Sequence, residues 1–261
     1  LYKTNPTRSQ HSPSLTNPHP WESEDGFILP KTIMHSFFIT GTDTNIGKTA
    51  VTCSLIVKCI EEGFRAGGMK PVAAGCHLEN GYMISDDVKK IIEVSNVDLN
   101  IKEINPYSFE RPIAPHISFK LNEIDIHLIK KYLRSFEKKI DYLFIEGVGG
   151  YAVPLTETFT TADLVESLEI PVILVVGMKL GCINHTLLTV ESILNKKQKL
   201  CGWVANRVDE NMEAYEENFS FLKEKIKAPC LGEVPYFKDF DPYKASKFID
   251  INKLNDKAYE D

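Results

Sequence analysis

Apolar residues along this 261-residue chain gather in six short runs, at 36–40, 66–73, 141–145, 171–176, 200–205 and 229–234, separated by stretches with helical spacing. Runs of this length read as strands buried on both faces, and their alternation with helices predicts a mostly parallel sheet covered on both sides. The helices carry the matching period. Val51, Leu55, Ile56, Cys59 and Ile60 form one stripe, and Leu128, Ile129, Tyr132, Leu133 and Phe136 form another; such stripes face a core. The predicted fold class is α/β, a single domain over residues 34–261. Residues 1–33 break the pattern: rich in Pro, Ser, Asn and Thr and without periodicity, they are expected to be a disordered extension. Met34 stands directly before the first strand and is the expected natural start.

In sheets of this kind ligands collect beyond the carboxyl ends of the strands, so the polar residues that follow each run carry the candidate chemistry. The first run leads into Gly41-Thr42-Asp43-Thr44-Asn45-Ile46-Gly47-Lys48-Thr49-Ala50. Strand, glycine-bearing loop and helix start come in the order a phosphate-binding loop requires, which makes the domain a P-loop NTPase fold. Backbone N–H groups and the helix dipole converge on phosphate oxygens, Lys48 reaches the terminal phosphates and Thr49 can ligate Mg2+. Five residues rather than four separate Gly41 from Gly47, so the loop is a variant of the common motif. The bland alternative is a glycine turn capped by Thr44 or Asn45.

Further along, Glu146 ends a strand before Gly147-Val148-Gly149-Gly150 and is suited to Mg2+. Asp86 and Asp87 follow Ser85 at a helix start, where carboxylates ordinarily cap; Thr49, Asp86 and Glu146 would nevertheless make a sufficient magnesium set beside phosphates. Lys70, ahead of Pro71, projects from a strand end and can stabilise transferred charge. The helix start at Gly181-Cys182-Ile183-Asn184 offers free N–H groups to a carboxylate, with capping by Asn184 as the alternative. Asn206 closes another strand, where its amide can pair with adenine or simply form a turn.

Composition narrows the field. The chain is 43% hydrophobic with a net charge of −6, an acidic balance that argues against a nucleic-acid partner. No apolar stretch nears the roughly 20 residues that span a bilayer. The six cysteines form no Cys-x-x-Cys pair and lie mostly within apolar runs, as reduced buried thiols do, so a soluble cytoplasmic protein is expected. Neither a Gly-x-Ser-x-Gly elbow nor a His-Glu-x-x-His helix is present, which leaves hydrolytic nucleophile and zinc chemistries without support.

Taken as an ordered set, Gly41 to Thr49, Lys70-Pro71-Val72-Ala73, Glu146 to Gly150, Val175 to His185 and Gly202-Trp203-Val204-Ala205-Asn206 resemble dethiobiotin synthetase over residues 36 to about 236. Asn105-Pro106-Tyr107, Ala114-Pro115-His116 and Gly232-Glu233-Val234-Pro235 extend the likeness. The resemblance implies a homodimeric, Mg-ATP-dependent ligase that makes dethiobiotin from 7,8-diaminopelargonic acid and CO2. It further implies that Lys48 and Lys70 neutralise phosphate and carbamate charge, and that Thr49, Asp86 and Glu146 serve Mg2+. Nucleotide would meet Asp43 to Ala50, Asn206 and Pro235; substrate would meet Lys70, Gly181, Cys182 and Asn184, near the subunit interface. Two departures stand out: Asn45 where some members carry Glu, and Ala74 where Ser often follows Lys-Pro-Val-Ala. The alternatives are a partner-regulated nucleotide switch, disfavoured because Asp43 holds the place of its signature lysine, and a degenerate nucleotide-binding interaction module, disfavoured by the retained lysines and carboxylates.

Overall fold

The computed structural model describes residues 34–118 and 124–255; the expected extension at 1–33 lies outside the described residues. The chain enters through β1 (His35–Gly41) and the loop, then α1 (Lys48–Glu61), β2 (Ala66–Met69) and β3 (Val72–Ala74). A hairpin follows, β4 (His77–Glu79) and β5 (Tyr82–Ile84), turning through Asn80 and Gly81, both at positive φ. Next come α2 (Asp86–Val94), α3 (Ile101–Ile104), β6 (Tyr107–Phe109), α4 (Pro115–Ser118) and α5 (Ile126–Phe136). Strand and helix then alternate: β7 (Tyr142–Glu146), α6 (Thr161–Leu168), β8 (Val172–Met178), α7 (Cys182–Asn195), β9 (Leu200–Arg207), α8 (Tyr215–Lys225), β10 (Cys230–Val234) and the short α9 (Pro242–Ala245).

The six expected runs supply the main sheet, ordered β10-β9-β8-β1-β7-β2 with every adjacent pair parallel. One run is corrected. Residues 66–73 are not one strand, because Pro71 has no N–H to give a ladder and the Lys70 N–H turns out of the sheet to the Ile104 carbonyl at 2.9 Å. Only Ala66–Met69 stays in the sheet; Val72–Ala74 pairs with β6 in a separate two-stranded ribbon.

Alternation across the pleat sends Phe37 and Ile39 of β1 to one face and Phe38 to the other, all fully buried. Burying each is worth about 1.5–3 kcal/mol. Val51, Leu55, Ile56 and Cys59 of α1 pack the first face, while Ile129, Leu133 and Phe136 of α5 and Leu164 and Val165 of α6 pack the second. Trp203 in β9 anchors a third cluster with Tyr215 and Leu222 of α8. The six cysteines are free thiols, five of them buried. No helix among the described residues is long and apolar enough to cross a membrane.

Candidate active site

The β1 strand delivers its loop to the centre of the sheet, between the ends of β7 and β8. Three tethers fix it: the Thr42 N–H donates to Val175 O (3.1 Å), the Gly177 N–H donates to Thr42 Oγ1 (3.3 Å), and Asn206 Nδ2 donates to Ile46 O (2.8 Å). Ile46 is fully buried and plugs the loop onto the sheet, against Gly177, where even an added Cβ would come within 2.5 Å of its Cγ2. The loop then turns through left-handed backbone at Asn45 (φ 57°) and Gly47 (φ 82°), and α1 begins. Asn tolerates that region better than most side chains, so the departure at Asn45 fits the loop's conformation.

Lys48 folds back over the loop and donates from Nζ to Asp43 O at 2.8 Å, enclosing the anion cradle. Burial pulls its pKa down to about 8, with neighbouring Lys70 adding to the effect and Glu146 opposing it. An ammonium so poorly solvated lacks a full counter-charge, which a phosphate would supply. Asp43 accepts the Thr44 N–H (2.7 Å) and pairs with Lys179 (3.2 Å), and these contacts hold its carboxyl below the usual range.

Beside the loop lies a buried charged cluster. Lys70 and Glu146 are only 4% and 1% exposed, and Lys70 Nζ donates to Glu146 Oε1 at 2.5 Å and to Asp87 Oδ2 at 2.9 Å. Burial works against the Lys70 charge, but the Glu146 and Asp87 carboxylates overcome it and raise the pKa. Asp87 is also penalised by burial, and Lys70 and Thr49 hold its pKa down. Thr49 Oγ1 donates to Glu146 Oε1 at 2.8 Å, whereas Glu146 Oε2 is buried with no hydrogen-bond partner. Such an orphaned carboxylate oxygen is costly unless something binds it. Two carboxylates and a hydroxyl at the edge of a phosphate cradle fit Mg2+, which takes one or two carboxylates and fills its octahedron with water and phosphate oxygens. Among the described residues no group of three or more His, Cys, Asp or Glu could hold a metal by itself, so a cation here would depend on those further oxygens.

The structure separates the two carboxylates at the start of α2. Asp86 is exposed at the first position of α2, while Asp87 pairs with Lys70 and meets Thr49, beside Glu146. Helical phase explains this: Asp87 precedes the buried Ile91 by four residues, whereas Asp86 precedes the exposed Lys90. Capping falls to Ser85, whose side chain accepts the Val88 N–H.

The remaining expected residues frame the same edge. Gly181 (φ 91°) is the N-cap of α7 and no side chain caps that helix, so Asn184 stands exposed without the capping role; Cys182 is buried. Asn206 pairs in register with Val234, which puts the half-buried Pro235 one residue beyond. Three contributors escaped the sequence reading. Thr42 and Lys179 brace the loop, and Asn105 Nδ2 donates to the Lys70 carbonyl at 2.7 Å. All three lie in stretches quoted for the resemblance, Thr42 in Gly41 to Thr49, Lys179 in Val175 to His185 and Asn105 in Asn105-Pro106-Tyr107, but nothing in their spacing gave them these bracing roles.

A parallel sheet whose central strand feeds a phosphate-type loop, with buried lysines and carboxylates at its carboxyl edge, defines a P-loop nucleotide-binding protein, and residues 35–244 match the family described as "AAA domain". The solved MinD cell division protein of Aquifex aeolicus shares the fold, with a TM-score of 0.52 at 15% identity, covering 87% of this chain and 98% of that one. Sequence relatives are more specific. The ATP-dependent dethiobiotin synthetase BioD of Nitrosospira multiformis is 42% identical over 220 residues, covering 84% of this chain and 96% of the relative. That of Aromatoleum aromaticum is 44% identical over 209 residues (79% and 93%), and BioD 1 of Escherichia coli O157:H7 is 38% identical over 222 (84% and 98%). The chain belongs to the dethiobiotin synthetase family.

Proposed function

We propose that this protein is an ATP-dependent ligase of biotin biosynthesis that closes the cyclic urea of dethiobiotin from 7,8-diaminopelargonic acid and CO2. The observation that carries the reading is the buried pair Lys70 and Glu146, joined by the partly exposed Asp87 and Thr49, beside the Lys48 loop, in a chain with near full-length kinship to enzymes of that name. The diamine reacts with CO2 to give a carbamate. ATP phosphorylates the carbamate oxygen, forming a carbamic-phosphoric anhydride and ADP. The second amine attacks the carbonyl, phosphate leaves, and the ring closes. No protein nucleophile takes part.

The chain's work is positioning and charge neutralisation, which dominate phosphoryl transfer. Lys48 and the N–H groups of Asp43 to Ala50 hold the phosphates, and Lys70 meets the carbamate and the transferred phosphoryl group. Thr49, Asp87 and Glu146 would hold Mg2+, which when bound screens phosphate charge. Asn206 and Pro235 border the base. The α7 start at Gly181, Cys182 and Asn184 takes the substrate carboxylate. Leu187, Leu188 and Leu194 of α7, 38%, 56% and 57% exposed, and Leu180 just ahead of it, 94% exposed, form an exposed apolar surface, which supports a homodimer built across that helix.

The test is ADP release and cyclic-urea formation by purified protein with Mg-ATP and bicarbonate, with and without the diamine. Diamine-dependent release of both products is expected, and Lys48→Ala abolishes it. ADP release indifferent to the diamine would refute the assignment.

A further inference from the structure

Asn206 is only 6% exposed, and its Nδ2 is 2.8 Å from the Ile46 carbonyl across a gap of 160 residues in sequence. An oxygen in that position would face another oxygen, so chemistry fixes the orientation of the amide. The contact is tight. A Cβ added at Gly47 would lie 2.2 Å from Asn206 Nδ2, and Gly47 sits at φ 82°, where the loop turns into α1. Asn206 itself is anchored in β9, in register with Gly177 of β8 and Val234 of β10.

The Ile46 carbonyl is the loop atom most in need of such a partner. For the N–H groups of a phosphate loop to converge inward, its carbonyls must point outward, and one facing the buried sheet edge needs a donor. Lys48 satisfies the Asp43 carbonyl in the same way at the loop's other end. A carboxamide has two N–H groups and one acceptor oxygen. With one N–H committed to Ile46, the other N–H and the oxygen are left, which is the pair that recognises adenine bidentately.

We infer that Asn206 is a positioning residue for the phosphate loop, setting its shape before nucleotide arrives, so that base recognition and the phosphate cradle share one side chain. The base-reading half rests on the function proposed above; the loop-setting half rests on the contact with Ile46.

Calorimetric titration of wild type, Asn206→Asp and Asn206→Ala with Mg-ATP and with Mg-tripolyphosphate, which has no base, separates the two halves. Both variants are expected to weaken binding of both ligands by about tenfold or more, the scale of one lost buried hydrogen bond with an orphaned partner. Tripolyphosphate affinity unchanged in a folded variant would overturn the inference and leave Asn206 as a base reader alone. Failure of the wild type to bind tripolyphosphate would also overturn it, because a loop preset for phosphates must accept them without a base. Should the buried Asp prevent folding, the Ala variant carries the test; if both unfold, the role is structural and the inference falls. Wild type that binds both ligands as expected yet makes no cyclic urea would defeat the proposed function, and the base-reading half with it, and leave the loop-setting half standing.

Discussion

At the residue scale the deciding pair is Asp86 and Asp87. Asp87→Asn removes a charged partner from the buried Lys70 and should lower kcat by about a hundredfold or more, in the range of lost electrostatic stabilisation. Asp86→Asn alters an exposed first-turn carboxylate and should leave kcat within about twofold, with a stability change of about 0.5 kcal/mol from the helix dipole. Steady-state kinetics and thermal melts on the two variants check both statements. Gly47→Ala would force a Cβ onto Asn206 at positive φ, and should cost about 1 kcal/mol or more of stability along with ATP affinity, read by melting and titration. The loop, Lys70, Glu146 and Asn206 were legible in the sequence because each ends or follows an apolar run. Asp87 was legible only through helical phase, and the spacing of the two carboxylates from Ser85 gave no means to choose. The tether from Thr42 to Gly177 joins residues 135 apart and leaves no local trace.

At the element scale, the sheet strands could be read because strands buried on both faces produce uninterrupted apolar runs. The β4–β5 hairpin and β6 could not, since three-residue strands that are not buried on both faces carry neither a run nor a period, while β3 is buried and was merged with β2 into the single run 66–73. Pro71 was visible, but its consequence depends on Ile104 supplying a carbonyl to Lys70 from outside the sheet. The start of β1 carries a pH prediction. Burial holds the His35 pKa below 6.5, with Asp141 partly opposing it, so the unfolded chain binds more protons than the folded one near that pH. The His35 contribution to stability is therefore complete above pH 6.5 and is lost as pH drops below it, through the depressed folded value. Denaturant titrations from pH 5 to 8 should show that slope, and His35→Gln should flatten it.

At the scale of the whole molecule, the apolar α7 surface sets the expected assembly. Leu188→Asp puts a charge on the most central exposed leucine of that helix and should yield a monomer by sedimentation, with turnover reduced at least about tenfold if the substrate carboxylate is met at the interface. A variant that stays dimeric would place the interface elsewhere. The sheet order has a consequence of another kind, in time. Its central strand, β1, is the first strand among the described residues, yet its two neighbours are β7 and β8, which begin more than a hundred residues later, at Tyr142 and Val172. At roughly 5–20 residues per second of synthesis, Phe37, Phe38 and Ile39 wait on the order of ten seconds for partners, both backbone edges unpaired. The strand that carries the phosphate loop is thus the one most exposed to wrong pairing on the ribosome, and the segment where a chaperone has most to protect.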